Sequence, residues 1–225
     1  MKEVMIPSGS IAVEANYKEQ VIPDYKGNPL IEALPNLLSP HEVIEKIAVY
    51  PEYHKSERQV EGYYRIHMID RLFQVFQPLP MNLELERKIS RALRQGYISR
   101  NPFDSKLAQG FYKDYYRKDS IGLVNKGGFY PSSLGFTLIG ISGLGKTSSL
   151  EHILNMYPQV IIHSEYRGIP FSVYQVVWAK LECPYDGSIK GLLYEFFSEI
   201  DRLLGSNYYQ KVMKTKATAD AMMTM

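Results

Sequence analysis

The chain has 225 residues, 45% of them apolar and 22% charged, with 18 Tyr and 9 Phe, a composition that buries a core and excludes wholesale disorder. A single cysteine, Cys183, excludes an intrachain disulfide framework and a cysteine-rich zinc site, and no run approaches the ~18 apolar residues of a bilayer-spanning helix. The net charge of +2 is unevenly laid out: residues 1–86 carry 8 Lys/Arg against 13 Asp/Glu, residues 87–118 carry 9 against 2, and residues 119–225 carry 9 against 9. The first residues, Met1 to Pro7, lack a signal peptide's apolar centre, so a cytoplasmic protein without a membrane role is expected.

Residues 1–38 hold Pro7, Pro23, Pro29 and Pro35 with little periodicity and read as an extended arm, either a partner-docking segment or a poorly ordered terminus. Ser39-Pro40-His41-Glu42 supplies an N-cap serine, a proline at the first helical position and a glutamate placed to bond back, so a short helix starts there. A second helix is expected from about Glu57 to Val75, where Val60, Tyr63, Tyr64, His67, Met68 and Leu72 recur at helical steps until Pro78 and Pro80. A third spans roughly Asn82 to Gln95, with Gly96 suited to the left-handed position past its end. A further helix is expected over Ser105 to Arg117, before a loop marked by Gly122, Gly127, Gly128 and Pro131.

The periodicity then changes. Leu134 to Ile139 reads as a buried strand, followed by a glycine loop and a helix from about Lys146 to Met156. Gln159 to His163 and Ser172 to Glu182 are β-rich runs joined by a hairpin-like turn at Arg167-Gly168-Ile169-Pro170, and Ile189 to Leu204 returns to helical spacing. Cys183, beside Pro184 at the end of an apolar run, reads as a buried structural thiol. The five histidines show no metal-ligand spacing.

Gly140-Ile141-Ser142-Gly143-Leu144-Gly145-Lys146-Thr147 is a full match to the phosphate-binding loop G-x-x-x-x-G-K-[ST]. Gly143 and Gly145 let the backbone approach a phosphate, Lys146 reaches the β and γ phosphates as a point charge, and Thr147 ligates Mg²⁺. With Gly140, Ser142, Leu144 and Ser148 these residues form the expected nucleotide site, with ATP and Mg²⁺ as cofactors. No guanine-reading Asn-Lys-x-Asp follows the loop, since Asn125-Lys126 precedes it. No apolar strand ending in an acidic pair follows either; Ile162-His163-Ser164-Glu165 and Lys180-Leu181-Glu182 lack the apolar lead. The expectation is therefore a chain that stops before its Walker B strand: the N-terminal portion of a longer ATPase, or a protein that binds nucleotide without efficient hydrolysis.

Leu138 to Ser148, Leu181 to Leu192 leading into Phe196-Phe197 and Asp201, and Gly96-Tyr97-Ile98-Ser99-Arg100-Asn101-Pro102 together resemble the TnsC/TniB type of AAA+ ATPase, regulators that select target DNA for transposons related to the Tn-seven group. The likeness covers roughly residues 40–225. It implies an α/β fold in which a P-loop NTPase (AAA+) core, residues 126–225 and incomplete at its C-terminus, follows a helical subdomain (39–125) and the extended N-terminal arm (1–38). It also implies an ATP-dependent homo-oligomer, ring or filament, on double-stranded DNA, with transposase subunits and a target-selector protein as partners in the bacterial nucleoid. Lys190 matches the family lysine that contacts the DNA backbone; the bland alternative is a solvated lysine near a helix start. Walker B, the sensor residues and the arginine finger that the family places further on are absent from this chain.

The basic block interleaves Arg87, Lys88, Arg91, Arg94, Arg100, Lys106, Lys113, Arg117 and Lys118 with aromatic residues, which suits phosphate contacts with stacking or, equally, a solvated basic face that docks the acidic first 86 residues. Lys211, Lys214 and Lys216 form a smaller cluster with the same two readings. Two other functions remain open: a small-molecule P-loop kinase with an acceptor pocket shaped by residues 160–183, and a non-hydrolysing nucleotide-binding interaction module.

Overall fold

The computed structural model describes residues 3–104, 134–215 and 218–223, which divide into two units: residues 3–35, 97–104, 157–215 and 218–223 in one, residues 36–96 and 134–156 in the other. The architecture is mixed α/β, with one four-stranded mixed sheet and surrounding helices. The helix expected over Ser105 to Arg117 and the glycine loop after it lie outside the described residues. Among the described residues, no helix is long and apolar enough to cross a membrane.

The first unit holds the sheet, in the order β1 (Glu3–Met5), β2 (Ile11–Glu14), β3 (Val160–Tyr166) and β4 (Ile169–Val176). β1 and β2 are antiparallel around a turn in which Gly9 takes a φ of +84°. β2 then pairs parallel to β3, Val13 opposite Ile161, and β3 and β4 form an antiparallel hairpin. The segment expected to be an extended arm thus supplies two strands. Three or four residues are too few to show a period of two, and the pairing of β2 with β3 is fixed by partners about 150 positions away. Ile6, Ala12, Val160 and Leu203 close a core on this sheet, with Ile162, Val176 and Leu204 packed against it.

The β3–β4 hairpin turns on Arg167 and Gly168, at φ of +51° and +82°, as a two-residue turn matched to strand twist requires. Beneath it, α1 (Pro29–Glu32) is capped by Asn28, whose Oδ1 accepts from the Leu30 N–H at 3.1 Å. The buried Glu32 carboxylate accepts from the Gly27 N–H at 2.7 Å, the Tyr166 hydroxyl at 2.8 Å and Arg167 Nη2 at 3.1 Å. Burial, with Glu32 adding to it, pushes the Tyr166 phenol up to about 12, so it remains a donor. His163 is buried alongside and bonded on both ring nitrogens.

Helix α6 (Ile189–Leu204) starts where the Ser188 hydroxyl accepts from the Gly191 N–H at 3.1 Å and ends at Gly205, φ +69°. Its Asp201 carboxylate then accepts from the N–H groups of Tyr208 and Tyr209, both at 2.8 Å, starting α7 (Tyr208–Thr215). Phe197, Val212 and Met222 of α6, α7 and α8 (Ala219–Met223) form a second apolar cluster. Residues 177–188 are irregular, and Cys183 lies there exposed. The expectation of a buried thiol fails because β4 ends at Val176 and carries no strand as far as Cys183.

The second unit contains α2 (Pro40–Ile47), α3 (Gly62–Met68), α5 (Lys146–Leu154) and the part of α4 (Pro80–Ile98) that ends at Gly96. α2 has the expected capping box: Ser39 Oγ accepts from the Glu42 N–H at 3.3 Å, and Glu42 accepts from the Ser39 N–H at 2.7 Å. α4 runs through Gly96 rather than stopping at it. The helix expected over 57–75 is broken into a 3₁₀ turn at Lys55–Gln59, α3, and another at Ile69–Gln74. Tyr63, Tyr64 and Leu72 of its apolar stripe are exposed, and a short helix whose stripe covers nothing gains little from propensity alone. Residues 134–140 are irregular and exposed instead of a buried strand: an apolar run forms a strand only where a neighbour pairs with it, and no described residue does.

Candidate phosphate-binding loop

Between irregular residues 134–140 and helix α5, the chain makes the turn that the glycine motif predicts. Gly143 and Gly145 have φ of +81° and +76°, the left-handed region that side-chain-bearing residues avoid. Gly140 is not in that region; a Cβ there would lie 2.7 Å from Leu144 Cδ2, the end of a flexible side chain. Gly145 is the residue before the first helical turn, and no side chain caps the helix. The N–H groups of Lys146, Thr147 and Ser148 therefore precede the first intrahelical bond, Ser149 N–H to Gly145 O at 2.8 Å. A helix start of this kind, with its partial positive charge, is an anion-binding arrangement.

The side chains fit the same purpose. Lys146 Nζ folds back over the loop and donates to Gly140 O at 2.8 Å and to Ile141 O at 2.7 Å, which places the ammonium above the turn. Ser142, Leu144, Thr147 and Ser148 are exposed, so the hydroxyls of Thr147 and Ser148 are open to solvent on the first turn of α5. These residues fit a nucleoside triphosphate with Mg²⁺: amides and Lys146 for phosphate oxygens, and the Thr147 hydroxyl as one metal ligand, with phosphates completing the shell. Among the described residues, no group of three His, Cys, Asp or Glu side chains assembles a metal site from protein alone.

Two residues that the sequence does not single out support the loop from below. The Ser149 hydroxyl donates to Gly145 O at 2.7 Å and accepts from Asn82 Nδ2 at 2.7 Å, with both side chains buried. Asn82 Oδ1 in turn accepts from the Leu79 N–H at 2.6 Å, at the start of α4. On the same helix, the His152 ring stacks on Phe76 at a centroid distance of 4.0 Å. No local pattern marks a pair 67 positions apart. The only hint is a serine two residues past the motif's threonine, one helical turn from Gly145.

The remaining expected site residues fall elsewhere. Lys190 stands on the first turn of α6 in the first unit, half-buried, its Nζ 5.6 Å from the centre of the Tyr194 ring. Of the basic block, Lys88, Arg91 and Arg100 are exposed and Arg87 reaches Glu84 at 3.1 Å. Arg94 departs from the expectation. It is buried, and Nη1 donates to Ser90 Oγ at 2.7 Å, because its position on α4 points inward and the serine one turn earlier supplies an acceptor. Lys106, Lys113, Arg117, Lys118 and Lys216 lie outside the described residues.

No protein-family model matches this chain, and no curated protein matches it significantly.

Proposed function

We propose that this chain is an ATP-binding, DNA-binding AAA+ regulator of DNA transposition, in which Mg²⁺·ATP sets an assembled state that links target DNA to a transposase. The observation that carries the reading is the loop itself: two left-handed glycines, an uncapped helix start and Lys146 poised above them. A phosphate would give the Lys146 ammonium charged oxygens in place of two neutral carbonyls, the stronger class of hydrogen bond. Gly140, Ser142, Gly143, Leu144 and Gly145 would supply the backbone wall, Thr147 and Ser148 the hydroxyl edge. When bound, Mg²⁺ would neutralise phosphate charge. The transposition assignment rests on the likeness of residues 96–102, 138–148 and 181–192 to TnsC/TniB-type ATPases, and places Lys190 on the DNA backbone.

The test is fluorescence anisotropy of a labelled duplex with Mg²⁺ and a non-hydrolysable ATP analogue, with Mg²⁺ alone, and with Lys146→Ala. The expected result is analogue-dependent binding that is lost in Lys146→Ala, weakens with salt and is reduced in Lys190→Ala. Nucleotide binding without DNA binding under any condition would overturn the DNA part of the reading. No nucleotide binding would overturn all of it.

A further inference from the structure

We infer that Asn82 is a positioning residue for the phosphate loop, acting through Ser149 on the peptide that joins Gly145 to Lys146; the inference rests on the reading of residues 140–148 as a nucleotide site. The argument begins with the peptide group, which is planar and trans, so its C=O and N–H point in opposite directions. Whatever holds the Gly145 carbonyl along the helix axis therefore also aims the Lys146 N–H out of the helix start, where a phosphate oxygen would sit.

That carbonyl is held twice, by the Ser149 N–H at 2.8 Å and by the Ser149 hydroxyl at 2.7 Å. A serine hydroxyl has one hydrogen and turns to suit its neighbours, so the second bond persists only if nothing else accepts that hydrogen. Asn82 settles the choice. Its Oδ1 is committed to the Leu79 N–H at 2.6 Å, which leaves the amide NH₂ facing Ser149, and Nδ2 donates to Ser149 Oγ at 2.7 Å. With a donor on one side, the hydroxyl's own hydrogen goes to Gly145 O.

The direction of every bond is thus fixed by the start of α4, and both side chains are buried at 2% and 3% exposure, out of competition with water. Gly145 needs this support more than another residue would. A glycine in the left-handed region has wide conformational freedom, and no side chain caps the helix it begins. Rotation of its peptide by a few tens of degrees would turn the Lys146 N–H away from a bound phosphate without unfolding α5. A cradle of amides contributes affinity only when aimed before the ligand arrives.

The test uses the whole 225-residue chain and two readouts. Amide hydrogen exchange over residues 145–149 without nucleotide reports the positioning itself. The dissociation constant of a fluorescent Mg²⁺·ATP analogue reports its consequence, with thermal midpoints measured alongside. Asn82→Ala and Ser149→Ala are each expected to speed exchange at the loop and to weaken the analogue about five- to tenfold, the scale of one lost buried hydrogen bond. The double variant is expected to be no weaker than the worse single, because the two act in series. Ser149→Thr keeps the hydroxyl and is expected to bind like the wild type. In Asn82→Asp the carboxylate accepts the Ser149 hydrogen, takes it from Gly145 O, and weakens binding with little change in volume. Affinity within twofold of wild type in Asn82→Asp and Ser149→Ala would overturn the inference while leaving the nucleotide reading intact. If the wild type binds no analogue, the nucleotide reading fails, and the inference with it as a statement about a binding site; the exchange data then still decide whether Asn82 holds the Gly145 peptide. Should Asn82→Ala fail to fold, Ser149→Ala and Ser149→Thr carry the test alone.

Discussion

Tyr17 and His163, 146 positions apart, meet at 2.8 Å: the phenol donates to Nδ1 of a histidine that donates from Nε2 to Gln175 Oε1 at 2.9 Å. Gln175 Nε2 donates to the Leu30 carbonyl at 3.0 Å, and this commits Oε1 to the histidine and so fixes the neutral tautomer. The chain of donors runs one way, from a residue just past β2 to the carbonyl of Leu30 in α1. It requires an uncharged imidazole.

Burial lowers the His163 pKa, with the Gln175 bond opposing, while burial and then Glu32 raise that of Tyr17. A histidine whose folded pKa lies below its unfolded value of about 6.5 binds fewer protons when folded, so the stability it contributes is present above that pH and lost as pH falls below it. Denaturant unfolding between pH 7.5 and 5 is expected to show stability falling toward acid, with a flatter profile in His163→Gln. Parallel profiles in the two proteins would refute the assignment. Tyr17→Phe, which leaves Nδ1 without its donor, is expected to cost roughly 1–2 kcal/mol at pH 7.5.

Glu32 and Arg167 form an ion pair with unequal stakes. The carboxylate is buried and takes three donors, whereas the guanidinium side chain is 64% exposed. Glu32→Ala strands the Gly27 N–H and the Tyr166 hydroxyl and is expected to cost about 2–4 kcal/mol. Arg167→Gly loses a solvent-screened partner and the guanidinium's place over the Tyr166 ring, 4.9 Å from its centre, but puts at φ +51° the residue that this conformation favours, so it is expected to lie within about 1 kcal/mol of wild type. Thermal midpoints of the two variants check the ordering, which equal losses would contradict.

The three loop glycines are expected to separate. Alanine at Gly143 or Gly145 would be forced into the left-handed region, costing about 1–2 kcal/mol or turning the peptide over, and nucleotide binding should be lost in both. At Gly140 the clash is with the end of the Leu144 side chain, which is exposed and can swing away, so Gly140→Ala should fold normally and bind within a few-fold of wild type. A binding curve for each, with the same fluorescent analogue, distinguishes conformational need from local crowding. Equal loss in all three would mean that the left-handed backbone is not what matters.

Local chemistry was readable at several points, though not at Gly96, a residue suited to end a helix that α4 runs through. The Ser39 capping box, the glycine turn before Lys146, a β3–β4 turn within Arg167 to Pro170 and the helix over Ile189–Leu204 all appear where the residues indicate. What could not be read depends on distant partners. β2 lies between β1 and β3, and nothing in Glu3–Met5 or Ile11–Glu14 announces either pairing. The stripe over 57–75 has helical spacing, yet the second unit buries little of it, and the helix breaks. Leu134 to Ile139 has the composition of a buried strand without a described partner. At the candidate site the motif residues were legible as a string, whereas Asn82 and Ser149 were not, because a hydrogen bond between helices leaves no spacing to recognise.

The parallel pairing of β2 with β3 also sets an order in time. Glu14 cannot meet Ile162 until some 148 further residues have been synthesised, which at ordinary translation speeds takes on the order of 7–30 s. For that interval the β1–β2 hairpin carries the open backbone edge of a two-stranded ribbon, too small to be stable alone. Such a sheet closes late and by long loops, the slow class of folding reaction. The beginning of this chain is therefore among the last of its parts to become structured during synthesis, and the most exposed to wrong pairing until it does.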